Sequence, residues 1–161
     1  MNKLYVMCGI PASGKSTFCI MKCSKEKNSK WVSRDTIRFS LLEPNDTYFA
    51  KESQVYREFT KQINNYLAEG YDVYADATHL NPLSRAKLFR TLNINKAKTQ
   101  VIALVMQTPQ EECIYRNELR KGTKTYVPRH SLDSMIYNFM PPTLDEYGGI
   151  IDKIINVQAK N

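Results

Sequence analysis

The sequence predicts an α/β fold with a mainly parallel sheet and helices on both faces. Three observations carry this. Short apolar, β-branched runs alternate with amphipathic segments along all 161 residues. The runs at 4–8 and 99–106 are apolar on both faces, as strands buried in a parallel sheet must be. The first run also feeds directly into a glycine-rich loop and then a helix-forming segment.

In chain order, LYVMC (4–8) is the first strand and KSTFCIMKC (15–23) the first helix; KWVS (30–33) is a short second strand. Val55, Phe59, Ile63 and Leu67 stand four apart, which predicts an amphipathic helix over 52–69 stopped by Gly70. YDVYADAT (71–78) is the third strand. Asn81-Pro82 reads as an N-cap with proline at the first helical position, opening a helix to about Leu92. TQVIALVM (99–106) follows, and Thr108-Pro109-Gln110-Glu111 repeats the start signal, as a capping box, for a helix to Lys121 before Gly122. A helix over 131–140 and a strand over 149–157 complete the pattern. With no repeat or linker, 1–161 reads as one domain.

Composition is that of a globular chain, 42% hydrophobic and 24% charged. The longest strongly apolar run, Val101 to Met106, is far too short to span a membrane, and MNKLYV lacks a signal-peptide pattern, so a cytoplasmic protein is expected. Cys8, Cys19, Cys23 and Cys113 form no CxxC pair, which favours reduced thiols over a zinc site. The net charge of +7 is concentrated. Between 116 and 129, Arg116, Arg120, Lys121, Lys124 and Arg129 face the single acid Glu118, whereas beyond 130 Lys153 and Lys160 face Asp133, Asp145, Glu146 and Asp152. Such a segment suits a polyanion, either nucleotide phosphates or nucleic acid, or is a solvated loop.

Gly9-Ile10-Pro11-Ala12-Ser13-Gly14-Lys15-Ser16 fits G-x-x-x-x-G-K-[ST] without a mismatch, between a strand and a helix. Its glycines let successive N–H groups converge on a phosphate, and the helix N-terminus adds partial positive charge. Gly9, Pro11, Ala12, Ser13, Gly14, Lys15, Ser16 and Thr17 are thus candidate nucleotide-binding residues, with Lys15 on the β- and γ-phosphates and the Ser16 hydroxyl on Mg²⁺.

Strand ends in an open α/β sheet face the nucleotide crevice. Asp35, after the second strand, is therefore a candidate to orient an acceptor hydroxyl and take its proton. Arg38 would share a helical face with Asp35 and could hold an acceptor phosphate; spacing alone favours Asp35 as an N-cap and Arg38 as a surface charge. Asp76, at the end of the third strand, is a metal candidate, while Arg85 reads as a surface residue. Arg116 and Arg120 lie on one helical face and suit a transferring phosphoryl group, on a lid over about 116–130. Tyr48, Phe49, Tyr126 and Tyr137 can stack on a base or simply pack.

Taken together, GIPASGKST, SRDTIR, DATHLNPLSR, RNELR with GTKTYVP, and FMPPTLDE resemble the kinase domain of bacteriophage and bacterial polynucleotide 5′-hydroxyl kinases over nearly the whole chain. The resemblance implies a P-loop NTPase fold with an adenylate-kinase-like sheet and a small helical lid. It also implies ATP and Mg²⁺ as cofactors and the 5′-OH of RNA or DNA, single-stranded or end-frayed, as acceptor. By position it makes Asp35 the general base and Arg38 the contact to the acceptor's 3′-phosphate. Asp76 supports metal and acceptor, and Arg120 with Arg116 stabilises the donor phosphates. His79, where relatives often carry asparagine, is not catalytic, and Lys121 separates Arg120 from the glycine that directly follows an arginine in some relatives. The length suits a stand-alone kinase, or one working with separately encoded phosphatase or ligase partners. A small-molecule kinase acting on a nucleoside, sugar or antibiotic is the alternative, and a nucleotide-dependent switch or adaptor a third reading.

Overall fold

The computed structural model describes residues 1–158; Lys160, counted in the charge balance, lies outside them. Five parallel strands form one sheet: β1 (Asn2–Cys8), β2 (Ser29–Ser33), β3 (Asp72–Asp76), β4 (Thr99–Met106) and β5 (Lys153–Val157), in the order β2-β3-β1-β4-β5. The connecting helices are α1 (Lys15–Lys25), α2 (Arg34–Leu41), α3 (Glu52–Ala68), α4 (Pro82–Thr91), α5 (Gln110–Leu119) and α6 (Arg129–Asn138). A short 3₁₀ turn at Glu146–Gly149 precedes β5. Among the described residues no helix is long and apolar enough to cross a membrane.

Side chains alternate across the sheet, so each strand feeds two cores. On one face Leu4, Val6, Val73, Ala75, Val101 and Ala103 pack against Val55, Phe59, Ile63 and Leu67 of α3 and Leu88 and Phe89 of α4. On the other, Met7, Tyr74, Ile102 and Leu104 pack against Cys19, with Phe18 and Trp31 at the margin. The four cysteines are free thiols, and all but Cys23 are buried.

Local start signals cap two of the six helices, α2 and α4. Asn81 caps α4 reciprocally with Ser84, behind Pro82. Ser33 caps α2 by accepting from the Thr36 amide, which leaves the Asp35 carboxylate in the first turn to other partners rather than serving as the cap. The capping box expected at Thr108 does not form. Helix α5 begins at Gln110 with Pro109 as its cap residue, one position too late for Thr108 to reach the first turn. Its hydroxyl instead donates to the Ser13 carbonyl at 2.8 Å. The last strand starts at Lys153 rather than 149, because Tyr147, Gly148 and Gly149 all have positive φ and turn the chain first.

Arg85 corrects the sequence reading most sharply. It is 0% exposed, with Nε and Nη2 donating to Glu146 at 2.6 and 3.1 Å and Nη1 to the His79 carbonyl at 2.8 Å. This bidentate pair ties the tail containing PPTLDE to α4 and to the end of β3. A buried guanidinium stripped of its counter-ion is costly. Glu146→Ala should therefore lower unfolding stability by about 3–5 kcal/mol, measured by urea denaturation.

Candidate active site

The loop after β1 bends tightly because its residues allow it. A Cβ on Gly9 would meet Ser13 Oγ at 2.6 Å and Met106 at 3.2 Å. Ala12 and Gly14 take φ of 66° and 95°, turning the backbone around a concavity capped by the N-terminus of α1. Buried Lys15 donates to the Gly9 and Ile10 carbonyls at 3.0 and 2.9 Å, closing the loop on itself. Burial lowers its pKa, against the opposing pull of Asp76 and Asp35.

Sheet order places the end of β3 beside this loop. Asp76 Oδ2 accepts from the Ser16 hydroxyl at 2.8 Å and from the Trp31 indole N–H at 2.9 Å. A hydroxyl and a carboxylate side by side fit Mg²⁺, which takes one or two protein oxygens and completes its shell with phosphates and water. Among the described residues no cluster of three or more His, Cys, Asp or Glu side chains forms an all-protein metal cage.

A cavity of about 210 Å³ opens from the loop. Its lining brings together Lys15, Ser16 and Asp76 with Asp35, Arg38, Tyr48 and Glu52, and with Arg120, Thr125 and Val127. Pro11, Ala12, Gly14 and Thr17 also line it, whereas Gly9 and Ser13 border a second cavity beyond the loop. Arg116 does not reach the main cavity. It donates to the Ala12 carbonyl at 3.3 Å and to Glu112, so it braces the loop from outside.

The AAA domain family matches residues 4–142. The chain belongs to this family. No curated protein matches the sequence. Among the solved structures that share the fold of this AAA domain are three kinds. A chain of a Pnkp1/Rnl/Hen1 RNA repair complex is 24% identical at a TM-score of 0.67, covering 85% of this chain and 43% of its own length. A fungal RNA kinase is 10% identical at 0.69, covering 99% and 76%. A gluconokinase from Sinorhizobium meliloti is 16% identical at 0.60, covering 97% and 82%. This chain thus spans less than half of the repair-complex chain, and the common element is a kinase-like P-loop fold.

On the α2 side, the AAA domain buries Arg38 rather than leaving it on the surface. Its Nε and Nη2 donate to Glu52 at 2.7 and 3.0 Å, and Nη1 to Tyr48 at 3.1 Å and to Asp35. The Tyr48 hydroxyl donates to the same Asp35 oxygen at 2.9 Å. Burial opposes the Arg38 charge, but the Glu52 hydrogen bond and the surrounding negative groups more than offset it, and its pKa rises. Burial would likewise raise Glu52; the Arg38 hydrogen bond and the charges of Arg38 and Arg34 hold it below its ordinary range.

Glu52, Trp31 and Asn117 escaped the sequence reading as participants here, and Tyr48, read only as a stacking or packing ring, takes part through its hydroxyl. Asn117 is fully buried and clamps the Val127 amide and carbonyl at 3.0 and 2.9 Å, pinning the connection that carries Arg120. Segment 116–130 is helical only at its ends, in α5 and α6, with turns between. No local pattern announces such contacts, since each partner is remote in sequence or on another element.

His79 is buried and is not among the residues that line the main cavity. Its buried ring donates from Nδ1 to the Met7 carbonyl at 2.6 Å, and burial pulls its pKa from 6.5 down to about 3. A depressed folded pKa leaves stability intact above 6.5. As pH falls towards 3 the unfolded chain gains a proton that the folded one refuses, costing about 1.4 kcal/mol per pH unit. His79→Asn keeps an N–H at the same reach and suits the φ of 42°. Its stability should therefore fall less steeply than wild type between about pH 6 and pH 4, by up to one proton in the linkage slope from chemical denaturation.

Proposed function

We propose that this AAA domain is an ATP- and Mg²⁺-dependent kinase acting on the 5′-hydroxyl of a nucleic-acid end, RNA or DNA. The supporting observation is that Asp35 lines the same cavity as Lys15, Ser16 and Asp76. A kinase needs this pairing of an acceptor-side carboxylate with a donor-side phosphate cradle, whereas a switch or adaptor does not. The net charge of +7 and the fold shared with a fungal RNA kinase and an RNA repair complex favour a polyanionic acceptor. Repair partners, such as a phosphatase or a ligase, belong to the same proposal.

In this reading Lys15 leaves the loop carbonyls for the β- and γ-phosphates, and Arg120, which lines the same cavity, engages the donor phosphates from a lid over about 116–130. Arg116 supports the donor site through the Ala12 carbonyl. Asp35 takes the acceptor hydroxyl in place of the Tyr48 phenol, aligns it with the γ-phosphorus and accepts its proton. Mg²⁺, held by Ser16 and supported by Asp76, would neutralise charge on the donor phosphates. Arg38 has five N–H donors, four of them already committed to Glu52, Asp35 and Tyr48. To grip an acceptor 3′-phosphate it exchanges its Tyr48 and Asp35 contacts for phosphate oxygens while Glu52 keeps hold of it.

That same saturation supports a second reading, a small-molecule kinase whose acceptor carries no phosphate, in line with the gluconokinase likeness. Transfer from γ-labelled ATP to 5′-OH RNA, 5′-OH DNA, nucleoside 3′-monophosphates, nucleosides and gluconate separates the two. Label on the polynucleotides and 3′-monophosphates is expected; label confined to nucleosides or gluconate would select the second reading. Asp35→Ala should slow transfer by about 10²–10⁴ while ATP affinity stays near wild type. Full turnover in that variant would remove Asp35 as the base.

A further inference from the structure

Trp31 lies in β2 opposite Tyr74 of β3, with Asp76 two residues further along on the same face. This diagonal is within reach of a long aromatic side chain. The indole crosses it, and its N–H meets Asp76 Oδ2 at 2.9 Å. Asp76 is 4% exposed, and the same oxygen accepts the Ser16 proton at 2.8 Å. One carboxylate oxygen thus receives donors from two elements, β2 and the first turn of α1. With its proton committed to Asp76, the Ser16 oxygen has its lone pairs free for a cation.

We propose that Trp31 is a positioning residue for the Mg²⁺–nucleotide site: its indole N–H fixes the Asp76 carboxylate, which in turn makes Ser16 present oxygen rather than hydrogen to the metal. Without the indole donor the carboxylate rotates about its last bond, and the Ser16 hydroxyl loses its fixed acceptor. Partners of this kind, which orient a ligand without touching the metal, typically alter metal affinity by about 10–100-fold. The inference rests on the ATP and Mg²⁺ part of the proposed function and is independent of the acceptor.

Trp31 is also the single tryptophan of the chain, so its emission reports on this carboxylate directly. The test follows binding of a non-hydrolysable ATP analogue by calorimetry while Mg²⁺ is varied, for wild type and Trp31→Phe. Without Mg²⁺ the two should bind the analogue alike. The tightening that Mg²⁺ brings should be about ten-fold smaller in Trp31→Phe. Wild-type emission should change with Mg²⁺ at the same midpoint as binding. A third protein carries benzothienylalanine at 31, an isostere with sulfur in place of the N–H, and should lose the same Mg²⁺ effect while keeping the packing. A wild-type response from that isostere, or an undiminished Mg²⁺ effect in Trp31→Phe, would overturn the proposal and leave the kinase reading standing. A wild type whose nucleotide binding ignores Mg²⁺ would overturn both.

Discussion

Strand β1 pairs in parallel with β3 on one side and β4 on the other, and that double pairing decides where the chemistry goes. Parallel strands all end at one edge of a sheet. The loop that follows β1 therefore emerges between the ends of β3 and β4, with Asp76 on one side and Thr108 on the other. Both neighbours hold it: Asp76 through Ser16, and Thr108 through the Ser13 carbonyl. The same topology puts β2 beyond β3, so that α2 and its Asp35 border the cavity one strand further out.

Among the described residues three Lys and Arg side chains are buried, and each charge is met differently. Arg85 has a dedicated carboxylate, Glu146, and serves as a strut. Arg38 is held by Glu52 through Nε and Nη2 and shared with Asp35 and Tyr48 through Nη1. Lys15 has only carbonyl oxygens and a hydroxyl as partners, and burial lowers its pKa. An ammonium satisfied by neutral groups in a desolvated site gains more from an incoming anion than one already paired with a carboxylate. The contrast separates residues that build the site from those free to engage a ligand.

The side chains around Asp35 and Arg38 are correspondingly more fully paired than Lys15. Tyr48 supplies a hydroxyl to Asp35 in the absence of any other, and its ring lies against the Arg38 guanidinium, 4.5 Å from the centroid. Burial and the neighbouring Asp35 raise the Tyr48 pKa, so the phenol remains a proton donor to the carboxylate. In the proposed reaction an entering hydroxyl would find Asp35 already oriented and would compete with a neutral, chemically similar group.

Much of the fold was legible because the signals are local. Apolar runs marked the strands, a four-residue period marked α3, Asn81-Pro82 marked α4, and the spacing of Gly9, Gly14, Lys15 and Ser16 marked the phosphate loop. These follow from backbone geometry within a few residues, and no distant partner can change them much. Tertiary structure alone decided the roles of Arg38, Arg85, Trp31 and Thr108. Arg38 and Arg85 are ordinary helical arginines until Glu52 and Glu146 arrive from elsewhere in the chain to bury them. Thr108 carries a start signal, yet its hydroxyl goes to a loop 95 residues away in sequence. A polar side chain takes whichever partner the packed neighbours offer, because an unpaired polar group costs more buried than exposed. Which neighbours those are is a property of strand order, and no short stretch of sequence contains it.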